Sequence, residues 1–150
     1  MEVQEDFKDL LKLLNDFNVE YVIVGGYALA FHGAPRFTGD IDILVKPHSQ
    51  NAENIIKTLE AFGFGSLGLT KEDFVKLDNV IQLGVPPVRI DILTSISGID
   101  WEAINTGKES GTYGNLPVYF IGLQELIVNK KASGRKKDHA DLEALGEVDE

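Results

Sequence analysis

No cysteine occurs among the 150 residues, so the chain has neither a disulfide framework nor a thiolate metal site, and any metal must be held by oxygen or imidazole. Long apolar runs are missing too: nothing approaches the roughly 18 residues needed to span a bilayer. The opening MEVQEDFKDLL is acidic and lacks the basic and apolar regions of a secretory signal. These absences set the expectation of a cytoplasmic protein without a membrane partner. Basic residues are scarce as well, 14 Lys and Arg against 24 Asp and Glu, for a net charge of -10. That balance argues against a broad basic surface gripping nucleic acid by counterion release, and leaves nucleic acid at most a local partner. Five of the 14 basic residues stand together in KKASGRKKDH, residues 130–139. Internal repeats, linkers and low-complexity segments are also absent.

What is present is enough apolar residue, 43% of the chain, to bury a core of ordinary domain size. The expectation is a single domain over 1–150, with C-terminal helices at about 122–147 packed on it. VQEDFKDLLKLLNDFN carries Val3, Phe7, Leu10, Leu11 and Leu14 at helical spacing, and EYVIVG follows as a strand. Gly25 and Gly26 break that strand, and YALAFHG reads as a short helix ending near Gly33. DIDILVK is a second strand, and SQNAENIIKTLEAFGF a second amphipathic helix. TKEDFVKL offers a capping arrangement of Thr70 with Asp73, NVIQLG and VRIDILTS form a strand pair, and DWEAIN is a short helix. GTYG and LPVYFI suggest one further edge strand, and two helices split by Gly134 close the chain. Helices and strands interleave without a strict βαβ rhythm, which predicts an α/β or α+β fold on a mixed sheet flanked by helices.

Two carboxylates, Asp40 and Asp42, sit two apart in an apolar strand. Alternation puts them on one face at about 6.5 to 7 Å, with Ile41 and Ile43 on the other. At an effective dielectric of about 20 they repel by roughly 2 to 3 kcal/mol, so a positive group belongs nearby. RIDIL repeats the pattern, with Arg89 and Asp91 on the polar face. If the two strands are neighbours, three carboxylates converge into an oxygen site for a hard cation such as Mg²⁺ or Mn²⁺. The plainer reading makes Asp40 and Asp42 solvated sheet residues with Arg89 pairing one of them. Gly25 and Gly26 shift the balance, because a strand ending in two glycines and entering a helix lets backbone N–H groups approach a phosphate. Phosphate and divalent metal together mean a nucleotide.

Gly25-Gly26, the spacing to Asp40-Ile41-Asp42 and the later Asp91 resemble the nucleotidyltransferase superfamily that includes DNA polymerase beta. VGGYALAFHGAPRFTGDIDILV with KASGRKKDHADLEAL most resembles its small bacterial branch, related to AbiEii-type toxins and minimal nucleotidyltransferases. The resemblance implies a transferase moving a nucleoside monophosphate from an NTP to a hydroxyl of RNA, protein or a small molecule, with release of pyrophosphate. It implies that Asp40 and Asp42 hold two Mg²⁺ ions, that Asp91 ligates the catalytic ion and helps deprotonate the attacking hydroxyl, and that Gly25 and Gly26 hold the triphosphate. Many members carry Gly-Ser where this chain has Gly25-Gly26. The alternative is a nucleotide-binding or toxin–antitoxin interaction module with the same fold and no turnover, engaged by a partner protein.

Further candidates surround that motif. Arg36 and Thr38, just before the acids, either reach phosphate or orient a carboxylate, or else serve only loop solvation and a local turn bond. Lys130 continues the buried stripe of Leu126 and Ile127 and so calls for an anion, a phosphate or a carboxylate. Asp138 and Asp141 fall on the stripe of Leu142 and Leu145, in the first turn of the last helix, where its dipole and Arg135 stabilise them; the resemblance implies that they brace the site. Lys131, Lys136 and Lys137 are expected at the surface, His32 in a structural role, and Trp101 and the tyrosines in the core or at its rim.

Overall fold

The computed structural model describes residues 3–34, 39–85 and 88–147, with the side chain of residue 85 left aside. Arg36 and Thr38 lie outside the described residues. The chain opens with α1 (Glu5–Asp16), whose Phe7, Leu10, Leu11 and Leu14 stripe is wholly buried. Next come β1 (Tyr21–Val24), α2 (Gly25–Phe31), β2 (Asp40–Val45) and α3 (Ser49–Phe62). After a 3-10 turn, α4 (Lys71–Val75) leads into the hairpin of β3 (Val80–Val85) and β4 (Val88–Leu93). The remainder is α5 (Trp101–Gly107), β5 (Glu109–Tyr113), β6 (Leu116–Phe120), α6 (Leu123–Ser133) and α7 (Lys136–Ala144). No helix among the described residues is long and apolar enough to cross a membrane.

Local chemistry fixes the helix starts. The Asp73 carboxylate accepts from the Thr70 N–H at 2.8 Å at the head of α4, and Asp100 accepts from the Ala103 N–H at 3.0 Å at the head of α5. The six strands form one mixed sheet in the order β3-β4-β2-β1-β6-β5. β2 runs antiparallel to β1 and parallel to β4, and β1 runs parallel to β6. Helices flank this sheet, as the sequence predicts.

One expectation is corrected. The GTYG and LPVYFI region holds two strands, and the second of them, β6, lies inside the sheet beside β1, with β5 as the edge. β5 is Glu-Ser-Gly-Thr-Tyr with a single buried side chain, Tyr113, so it has no apolar alternation to announce it. Its Gly111 packs where a Cβ would meet the Phe31 and Phe120 rings, which stack with centroids 4.2 Å apart.

His32 anchors this corner: its Nε2 lies 2.7 Å from the Ile121 carbonyl and its ring meets Phe31 edge-on. Tyr27 packs edge-on against Phe7 and Tyr113, which places these rings in the core. Trp101 is likewise buried.

Candidate active site

The parallel seam between β2 and β4 sets Asp42 opposite Asp91 and Asp40 opposite Arg89. Neighbouring strands lie about 4.8 Å apart, so the three acids and the arginine share one small area of the sheet's polar face. Ile41, Ile43, Ile90 and Ile92 point the other way and are buried, which fixes the register and hence the grouping of the acids. Arg89 is the positive group the crowding demands. Its Nη2 donates to Asp40 Oδ2 at 2.6 Å, and its Nε lies 3.3 Å from Asp91 Oδ1. The second approach misses hydrogen-bond geometry, leaving Asp91 Oδ1 and Arg89 Nε buried without a hydrogen-bond partner.

One guanidinium does not neutralise three carboxylates. Burial, then the charges of Asp91 and Asp40, push the Asp42 carboxyl up to about 6, with Lys137 acting in the opposite direction. Burial also raises Asp91, against the pull of Arg89. The surplus negative charge and the orphaned Asp91 oxygen suit a hard cation with oxygen ligands. Among the described residues no three acid or histidine groups are already gathered as a metal cage, because Asp40 is turned toward Arg89.

Gly25 and Gly26 form the first turn of α2, directly after Val24, the β1 partner of Asp42. Gly25 has φ of 68°, and a Cβ on it would run into the Asp42 carboxylate. This glycine therefore does more than open space for an anion: it lets the turn and the acid lie against each other. A cavity of about 550 Å³ opens over the acids and is lined by Gly25, Gly26, Lys130, Arg135 and Lys137. A hollow of about 640 Å³ beside α1 and the end of α3 is lined mainly by apolar groups, with Asp6 and Asp9 its acids.

Besides Arg89 of β4, the cations among the described residues lining the cavity come from the α6–α7 corner. Lys130 is 3% exposed, with its Nζ 2.9 Å from Asp141 Oδ2 and 3.4 Å from Asp138 Oδ1. The anions it meets in the protein are thus carboxylates. The Arg135 N–H and Nε donate to Asp138 Oδ2 at 3.0 and 2.8 Å. Burial opposes ionisation of Asp138, but Arg135 and Ser133 hold its carboxyl well below the usual range. Lys137 is exposed, as the sequence predicts for a surface lysine, yet it stands at the cavity. Its side of α7 carries no apolar signal that would have marked it.

The amino-acid pattern of residues 9–100, more than half of the chain, matches the family model described as nucleotidyl transferase AbiEii toxin, type IV TA system. The chain belongs to the AbiEii nucleotidyl transferase family. No curated protein matches it significantly by sequence. Solved structures share the fold found here. A Thermotoga maritima protein assigned as a nucleotidyltransferase, TM1012, superimposes with a TM-score of 0.63 at 14% identity, over 95% of this chain and 93% of its own. The lincomycin-bound lincosamide antibiotic adenylyltransferase LnuA gives 0.58 at 14%, over 97% and 98%. The antibiotic-resistance factor ANT(2'')-Ia gives 0.61 at 13%, over 94% and 80%. At such identities the likeness speaks for the fold, that of a nucleotidyltransferase, and the family match makes this AbiEii member a transferase.

Several lining residues had no signal of their own in the sequence. Val80, Leu93, Ser95 and Asn129 reach the cavity from β3, β4, the following loop and α6. Only the pairing of β3 on β4 and the packing of α6 bring them together.

Proposed function

We propose that this chain is a divalent-cation-dependent nucleotidyltransferase that moves a nucleoside monophosphate from an NTP to an acceptor hydroxyl and releases pyrophosphate. The observation that carries the proposal is the in-register seam that faces Asp42 with Asp91 beside Asp40, against the glycine turn of α2. Asp40, Asp42 and Asp91 would hold Mg²⁺ or Mn²⁺, two ions in all, which when bound supply charge neutralisation and a more acidic hydroxyl. Gly25 and Gly26 offer backbone N–H groups to the triphosphate, with Arg135 and Lys137 as its counter-charges and Arg36 and Thr38 as candidates just ahead of β2. Lys130 acts on the donor through α7, since its ammonium is bonded to Asp138 and Asp141. The acceptor oxygen attacks the α-phosphorus as its proton passes to Asp91, and the bond to the β-phosphate breaks with its electron pair leaving on pyrophosphate.

The AbiEii description also suggests an antitoxin as a partner of this chain. A second reading, a nucleotide-binding module without turnover, draws on Arg89, whose hydrogen bond to Asp40 and ion pair with Asp91 place a fixed cation among the acids.

Incubation with each α-³²P-labelled NTP and Mg²⁺ in a cell lysate, beside the Asp40→Asn/Asp42→Asn double variant, separates the two. Label that depends on the intact acids is the expected result. NTP binding without acid-dependent label in RNA, protein or small molecules favours the second reading.

A further inference from the structure

The two edges of the sheet are built differently. β5 is polar until Tyr113 and begins with the exposed Glu109, whereas β3 contains neither a charge nor a proline, and residues 79–88 as a whole carry no charged side chain. Edge strands are ordinarily guarded by charges, prolines or a covering element, because their outward backbone groups recruit other strands. The Thr94 N–H donates to the Asn79 carbonyl at 3.1 Å, which sets the phase of the β3–β4 ladder. Bonded pairs then alternate, Ile81 with Ile92 and Leu83 with Ile90, so the N–H and C=O groups of Val80, Gln82 and Gly84 point away from β4. Among the described residues no further strand pairs with them, and Val80 and Gln82 are exposed.

The hollow of about 640 Å³ adjoins this edge at Leu83 and Gly84. Leu83 pairs with Ile90, which alternates with Asp91, so both side chains lie on the face opposite the acids, where they line the hollow together with Phe62 and Phe64. Asp6 and Asp9 line it too, exposed and in no ion pair with a described residue, and its described lining holds no lysine or arginine. A strand added to β3 would lie about 4.8 Å beyond it, with every second side chain on the hollow's face of the sheet. We infer that β3 is a docking edge for an extended segment of a partner protein, one with apolar side chains at alternate positions and a lysine or arginine that meets Asp6 and Asp9. Backbone pairing supplies the attachment, and the apolar, acid-flanked hollow supplies the selectivity. A second copy of this chain does not fit that chemistry: it brings a net charge of -10 of its own, and its residues 79–88 offer the two acids no cation. Docking at this edge does not require NTP turnover.

The test presents the full chain to a displayed library of short random peptides. Selected peptides should alternate apolar with polar residues and carry Lys or Arg, and their binding should slow hydrogen exchange at the Val80, Gln82 and Gly84 amides. Gln82→Pro removes an outward N–H and leaves the bonds to β4 in place, so it should weaken the selected peptides by about tenfold or more. Asp6→Lys/Asp9→Lys, a charge reversal on the exposed side of α1, should weaken them by about tenfold as well, with an unchanged melting midpoint as evidence of an intact fold. If Gln82→Pro lowers the midpoint, the exchange protection and the charge reversal decide. A library that yields no such peptide, selected peptides of acidic composition, exchange at β3 unaltered by binding, or affinity indifferent to the charge reversal or to a stably folded Gln82→Pro overturns the inference. So does a dimer in sedimentation that Gln82→Pro dissociates, which would assign the edge to a second copy.

Discussion

Asp42 is the residue at which structure and chemistry conflict most directly. Its carboxyl is pushed up to about 6 by burial and by Asp91 and Asp40, whereas in an unfolded chain it ionises near 4. A carboxylate raised on folding binds its proton more tightly in the native state, so native stability falls as pH rises from about 4 through 6. Asp42→Asn should remove that loss. Denaturant melts at pH 4.5 and pH 8 should show the variant gaining on the order of 2 kcal/mol on the parent at the higher pH, while transfer activity disappears. Equal pH profiles for the two proteins would remove Asp42 from the centre of the charge conflict. Gly25→Ala tests the neighbouring backbone. It combines a left-handed φ of 68° with a Cβ aimed at the Asp42 carboxylate. The strain alone is worth about 1 to 2 kcal/mol, so a lowered melting midpoint together with lost activity is the expected outcome. An alanine enzyme with parental stability would mean that the turn relaxes freely.

At the scale of elements, the α6–α7 corner depends on three buried charges. Removing one partner of a buried ion pair leaves the other uncompensated, at a cost of about 3 to 5 kcal/mol. Lys130→Met should therefore destabilise the fold by that amount. NTP titration of the still-folded fraction at low temperature should show weaker binding, because α7 carries Arg135 and Lys137. Unchanged NTP affinity would confine Lys130 to a structural role. The same corner illustrates what a sequence discloses. The stripes of α1 and α3, the glycine stop at Gly134 and the alternation of β2 and β4 carry their own signal, so those elements and the acid pair could be read directly. β5 could not, because its side chains are polar or absent until Tyr113. Asp91 was legible as a candidate, but its place opposite Asp42 depends on a parallel pairing between distant strands, which no local pattern encodes. The place of Val80 and Leu93 at the cavity was illegible for the same reason: both look like ordinary strand residues until β3 is laid on β4.

For the whole molecule, ligand binding and stability are linked. NTP with Mg²⁺ at 100 times its Kd should stabilise the native state by about 2.7 kcal/mol, and removing the metal with EDTA should reverse most of the shift. Thermal melts with NTP alone, Mg²⁺ alone and both together read this out. A midpoint indifferent to the metal would mean that the acids are not its ligands. The sheet order has one more consequence. Asp40 and Arg89 are 49 residues apart in the chain, and the seam joining their strands is parallel. Closing so large a loop carries an entropic cost that must be met before any contact across it is rewarded. While that seam is open, as on a ribosome still extending the chain or in a partly unraveled sheet, Asp91 is far from Asp40 and Asp42 and its repulsion with them does not exist. Competence for chemistry thus arrives only once that long-range pairing has formed.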